Sequence, residues 1–221
     1  MLFRSGETGT VALGFISVAA YNILPDLVPE FRRRHPGIKL ALQEGVTDAL
    51  LLALGQGEID AGMVLPPVVD PRLSYLPLVH DRLMVALPAR LRGRFPRGQL
   101  PLAALADEPF ILFPRKAGPG LYDLIVGSCQ RAGFTPRIEQ EAIQMQTIVS
   151  LVASGMGVAL VPDSLQHLRR TGVEYRLLKD KIPPVEVGLA WQASDESPAV
   201  RAFISLAAEC GRRLGGLRHR R

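Results

Sequence analysis

The sequence predicts an α/β protein of two Rossmann-like lobes with a central cleft. Three observations carry that expectation. Strand-like and helix-like apolar runs alternate as β-α-β-α-β over residues 10–64, the pattern of a parallel sheet with crossover helices. A second α/β series, with a different texture, runs from residue 81 to residue 182. One further strand and helix then remain, and the strand is expected to return to the first sheet. This gives lobe I as residues 9–80 plus 183–214, lobe II as 81–182, and a basic tail as 215–221. The chain then crosses twice between lobes, and α/β proteins take small ligands in such clefts and at strand carboxyl ends.

The elements follow in order. Thr10–Ile16 (TVALGFI) reads as a buried strand. Ala20–Arg34 reads as one amphipathic helix with Ile23, Leu24, Leu27, Val28 and Phe31 on one face. Its last turn, Arg32-Arg33-Arg34, suits the negative end of a helix, and Pro36-Gly37 stops it. Ile38–Gln43 alternates as a strand. Thr47 is expected to cap a helix over Asp48–Leu54, which Gly55 and Gly57 end. Ile59–Val64 is the third strand. Leu73–Val79 and Arg82–Leu87 are consecutive strands, and residues 88–99 form a loop rich in Arg, Gly and Pro. A short helix over Pro101–Ala106 leads to the strand Phe110–Phe113. Gly120–Ala132 is helical, Pro136–Gln140 extended, and Gln144–Ala153 helical again. The segment Gly157–Val161 is a strand, Ser164–Arg169 a short helix, and Val173–Leu178 and Val185–Trp191 are strands. The last helix, Ser197–Leu214, has Ser197 as N-cap and Pro198 in its first turn.

Composition narrows the class. The chain has 221 residues and 48% hydrophobic content, enough for a sizeable core. No apolar run reaches bilayer length, so no membrane association is expected. The start, MLFRSGETGT, has no signal-peptide core. Cys129 and Cys210 form no metal or redox motif, and a disulfide between them lacks support. A cytoplasmic location is expected. The last ten residues carry five arginines and no acid, which equals the whole formal excess of +5. That tail reads as a solvated end, with nucleic-acid contact as the other reading.

The motifs exclude more than they assert. Gly155-x-Gly157 lacks a third glycine and precedes a strand, so it is no dinucleotide loop. It reads instead as a helix C-cap at Ser154-Gly155, with Gly157 admitting a buried strand. No phosphate-loop lysine motif and no G-x-S-x-G occurs. The four histidines lack zinc-ligand spacing, so no metal and no cofactor are expected. Asp60 reads as a structural carboxylate at the start of a strand, with a catalytic acid as the other reading. No enzyme is expected. More promising are small polar groups at expected helix starts: Ser17, Thr47, Gln144 and Gln146. Such ends hold anions, although each group also suits ordinary capping. Arg115 and Lys116 add cations for a carboxylate, or belong to a solvated loop.

A family resemblance rests on an ordered series. Gly9-Thr10-Val11-Ala12-Leu13-Gly14-Phe15, then Ile23-Leu24-Pro25, Phe31 and His35-Pro36, resembles the start of the effector-binding domain of LysR-type transcriptional regulators. Glu44-Gly45, Thr47, Leu54 and Gly57-Glu58-Ile59-Asp60-Ala61-Gly62 continue it. Leu76-Pro77-Leu78 and Arg82-Leu83-Met84-Val85-Ala86 are similar to the first lobe crossing. Leu151–Pro162 (LVASGMGVALVP) is the most family-like stretch.

The resemblance implies a type 2 periplasmic-binding-protein-like fold that takes a small organic effector between its lobes, aromatic or aliphatic carboxylates being the expected class. It implies effector contacts at Thr47 and along Arg115–Leu121, Gly120 among them. Val18, beside Ser17, stands where the aromatic-degradation branch has a serine, and Leu65 where it has an arginine. That implies an effector less charged than a dicarboxylate, or one held in a different orientation. The resemblance also implies a homodimer or tetramer. DNA contact would run only through a helix-turn-helix that this sequence does not include. An exported solute-binding protein of the same architecture is the alternative.

Overall fold

In the computed structural model, residues 8–195 and 197–218 are described. They fall into two compact units. One ends at His80 and resumes at Glu186; the other is Asp81–Val185.

The first unit is built on a five-stranded sheet of order β2-β1-β3-β10-β4. β1 (Gly9–Phe15) runs parallel to β2 (Ile38–Glu44) and to β3 (Ala61–Val64). β10 (Val185–Gln192) returns antiparallel to β3, with Trp191 opposite Ala61. β4 (Leu73–Asp81) forms the far edge. Asp60 splices β1 to the start of β3: its Oδ2 accepts the Ala12 N–H at 2.7 Å, and its own N–H reaches the Ala12 carbonyl at 2.9 Å. The structural reading of that carboxylate therefore holds.

The expected single helix over Ala20–Arg34 is two helices. α1 (Ser17–Asn22) ends at Ile23, and α2 (Leu24–Arg34) begins there. Pro25 cannot donate a backbone hydrogen bond, so the α-ladder breaks at that point and restarts from the Ile23 carbonyl. Phe31 of α2 meets Phe203 of α6 (Pro198–Arg218) edge-on, ring centres 5.2 Å apart. Leu13, Leu27, Phe31 and Phe203 are fully buried. Each contributes about 1.5–3 kcal/mol relative to exposure. The exposed Arg34–Glu209 pair beside them, at 2.7 Å, is screened by solvent and adds little. Packing, not that ion pair, holds α6. α6 continues to Arg218, so the expected tail is helical at residues 215–218; residues 219–221 lie outside the described part.

α3 (Thr47–Gln56) covers β1 through Leu50. Its approach explains Gly14 in mid-strand: a Cβ there would meet Leu50 Cδ2 at 2.6 Å. Thr47 is not the cap of this helix. It is the first helical residue, and Val46, which has no capping side chain, precedes it.

The second unit holds a three-stranded antiparallel sheet and a parallel pair. β5 (Leu83–Pro88) lies between β8 (Ala159–Pro162) and β9 (Val173–Leu177). β6 (Pro109–Leu112) pairs in parallel with β7 (Arg137–Glu141). α4 (Pro119–Arg131) and α5 (Met145–Ala153) follow β6 and β7 respectively. The short helices expected over Pro101–Ala106 and Ser164–Arg169 are 3-10 helices, at residues 102–105 and 163–168. α5 ends as expected. Gly155, at φ 86°, turns the chain, with Gly155 N–H to the Val152 carbonyl and Met156 N–H to the Leu151 carbonyl. Gly157 then lets the backbone pass against Pro109, whose carbonyl oxygen would lie 2.5 Å from any Cβ. The phosphate-loop reading is excluded by this geometry.

Candidate functional site

Parallel strands end at one edge, and their loops start the next helices. In the first unit the ends of β1, β2 and β3 deliver Ser17 and Val18, Thr47, and Leu65. Backbone bonds lock these ends together: Ile16 N–H reaches the Met63 carbonyl at 3.1 Å, and Gly45 N–H the Phe15 carbonyl at 3.0 Å. Ser17, Val18 and Thr47 are buried, and Leu65 is half-buried.

Thr47 Oγ1 accepts the Leu65 N–H at 3.2 Å. A hydroxyl that accepts one bond still has its own O–H to donate. The Ser17 hydroxyl has no hydrogen-bond partner among the described residues, though the residue is only 8% exposed. This edge therefore offers two donors beside the apolar Val18 and Leu65. It suits one carboxylate and an apolar body. The link from Thr47 to Leu65 was invisible in the sequence, because its partner is a backbone N–H.

In the second unit, β6 and β7 end side by side, tied by the Ala142 N–H to the Leu112 carbonyl at 3.0 Å. Beyond β6 lie the 3-10 turn Arg115–Ala117 and Gly120 in the first turn of α4. Beyond β7 lies Gln144, the N-cap residue of α5, with Gln146 in its first turn. Gly120, Gln144 and Gln146 are exposed. Arg115 is already committed: its Nε and Nη2 donate to the Asp123 carboxylate at 2.8 and 3.0 Å. That guanidinium holds the Asp123 carboxyl below its ordinary range. Tyr122 lies in the first turn of α4, half-buried.

Titratable groups elsewhere form structural pairs. Tyr75 donates to Glu186 Oε1 at 2.9 Å, and His80 Nε2 lies 3.0 Å from Glu186 Oε2. Burial, then the bond to Glu186, raises the Tyr75 phenol. Among the described residues no group of three or more His, Cys, Asp or Glu is placed to hold a metal ion. No described helix is long and apolar enough to cross a membrane. Both cysteines are free thiols in the core.

Comparison with known proteins places this geometry. Residues 4–211 match the LysR substrate binding domain family. The chain is 42% identical over 212 residues to the transcriptional regulator IlvR of Caulobacter vibrioides, covering 94% of this chain and 70% of that protein. It is 31% identical to the regulator AlsR of Bacillus subtilis, covering 91% of this chain and 67% of that one. Among solved structures, the effector binding domain of BenM with its effector benzoate superposes with a TM-score of 0.81. That pair is 27% identical, and 95% of each chain is covered. The relatives are regulators, not enzymes, and they do not favour the exported solute-binding alternative.

Proposed function

Since the chain belongs to the LysR-type transcriptional regulators, as their effector-binding domain of type 2 periplasmic-binding-protein-like fold, we propose that its effector is a small organic acid. The acid carries one carboxylate and an apolar body. The candidate effector contacts, taken for each unit by itself, are Ser17, Val18, Thr47 and Leu65 in the first, and the Arg115–Gly120 turn with Gln144 and Gln146 in the second. Binding biases the arrangement of a homodimer or tetramer, and that output reaches DNA through a helix-turn-helix outside this sequence. The protein works in the cytoplasm.

The observation that carries the reading is the free O–H of buried Thr47 after β2, with the unpartnered Ser17 hydroxyl after the neighbouring strand β1. A hydroxyl donating to a carboxylate is worth about 1.5–3 kcal/mol. The absence of a described cation at that edge, together with Leu65, supports one charge instead of two. A thermal-shift screen of aromatic and aliphatic monocarboxylates, with matched dicarboxylates and neutral amides, tests it. At least one monocarboxylate raises Tm above its amide and its dicarboxylate. Stabilisation by dicarboxylates or amides alone would sink the proposal.

A further inference from the structure

The second unit carries a concave, basic surface away from its strand ends. The segment Ala89–Gly98 (ARLRGRFPRG) has four arginines and no acid. It leads into Leu100, whose N–H bonds the Leu177 carbonyl of β9 at 2.9 Å. Arg176 of β9, only 7% exposed, fixes the segment from below. Its Nε donates to the Gly98 carbonyl at 3.0 Å, and its Nη2 donates to the carbonyls of Gly98 and Pro96. The Nη1 amino group has no hydrogen-bond partner among the described residues. A groove of about 770 Å³ is lined by Arg92, Phe95, Arg97, Glu174 and Arg176 with the backbone of Gly93 and Gly98.

The charges around the groove are unequal. Arg92 approaches Glu174 at 3.4 Å, and Glu174 lies 3.9 Å from Arg176. Arg94 lies over the Phe95 ring, 5.9 Å from its centre, and is neutralised by Glu108, while Arg90 donates to the Gly155 carbonyl at 2.9 Å. Arg97 has no ion-pair partner among the described residues. Three guanidiniums therefore face one carboxylate, an excess of two positive charges. That matches a phosphate monoester, which carries about two negative charges at neutral pH. Guanidinium groups match phosphate oxygens in forked pairs. The volume falls in the range of small-ligand sites, about 300–1,000 Å³. A nucleic-acid backbone needs an extended basic stripe, and this is a concavity formed by one loop and one strand.

We propose that the groove binds a small phosphate monoester, its phosphoryl group on Arg97 and the Nη1 of Arg176 and its apolar part against Phe95. The site is distinct from the strand-end residues assigned to the effector and does not depend on that assignment. Phenyl phosphate is the probe, titrated calorimetrically into the intact chain at low salt. The expected result is binding of one equivalent that Arg97→Gln weakens at least tenfold. Arg201→Gln removes the same charge from an exposed position of α6 and leaves affinity within twofold; Thr47→Val also leaves it unchanged. Failure to bind phenyl phosphate overturns the proposal, and so does binding of duplex DNA alone. Equal losses in the two arginine variants would show diffuse charge, and loss in Thr47→Val would place the probe at the strand ends. Either outcome also overturns it.

Discussion

Gly157→Ala should destabilise the protein by about 2–3 kcal/mol. The new Cβ would sit 2.5 Å from the Pro109 carbonyl oxygen and 3.0 Å from its carbon. Pro109 cannot retreat freely, because its carbonyl accepts the Val158 N–H at 2.8 Å. The next contact along, Ile111 N–H to the Val158 carbonyl, is also 2.8 Å. Overpacking of this kind costs about 1–3 kcal/mol. Stretching two backbone bonds adds about 1 kcal/mol for each one lost. Reduced freedom of the unfolded chain offsets about 0.4–1 kcal/mol. For a domain of this size the net loss lowers Tm by roughly 4–12 °C. Gly93→Ala is the matched control: nothing lies within 4 Å of its added Cβ, and its φ is not left-handed. It should leave Tm unchanged or raise it slightly. Circular dichroism melts of the three proteins decide. Equal Tm for Gly157→Ala and wild type would refute the account of this corner.

Two other consequences follow from buried groups. Burial pushes the Cys129 thiol from 9.0 up to about 11. The folded state therefore holds this proton more tightly, so its contribution is intact below pH 9 and is lost as pH rises from 9 to 11, by at most about 2.7 kcal/mol. Tyr75 and Tyr175, both raised by burial, act in the same direction at higher pH. Urea unfolding of wild type and Cys129→Ala across that window should show the shallower pH slope in the variant; identical slopes would refute the assignment. Asp60→Ala leaves the Ala12 N–H unpaired and should cost about 1–3 kcal/mol, with Asp60→Asn losing less. The single Trp191, paired opposite Ala61, reports that loss by fluorescence. Full stability in Asp60→Ala would contradict the splice between β1 and β3.

The order of elements was legible because apolar period and Gly/Pro punctuation are local properties. The parallel β2-β1-β3 core and the return of β10 followed from alternation and connection rules. What failed was set by contacts that the local pattern does not contain. Pro25 split a helix whose apolar face ran on unbroken. Thr47 looked like a cap by residue type, yet its hydroxyl faces the Leu65 N–H across two strands. Arg115 looked like a free cation, but Asp123, eight residues on, already pairs with it. Ser17, Val18, Thr47 and Leu65 share an edge because parallel strands end together, which the β-α-β-α-β order implied. The clamp of Arg176 on Pro96 and Gly98 spans about eighty residues and left no mark in the sequence.

The proposed bond runs from the free hydroxyl of Thr47 to an effector carboxylate. It is tested by calorimetric titration of the best monocarboxylate from the screen into wild type, Thr47→Ser and Thr47→Val. Loss of one charge-assisted bond of about 1.5–3 kcal/mol corresponds to roughly 10–150-fold in affinity. Thr47→Val should weaken binding by that factor, and Thr47→Ser, which keeps the hydroxyl, should stay within threefold of wild type. Equal affinity in wild type and Thr47→Val, with both folded by circular dichroism, would contradict the account.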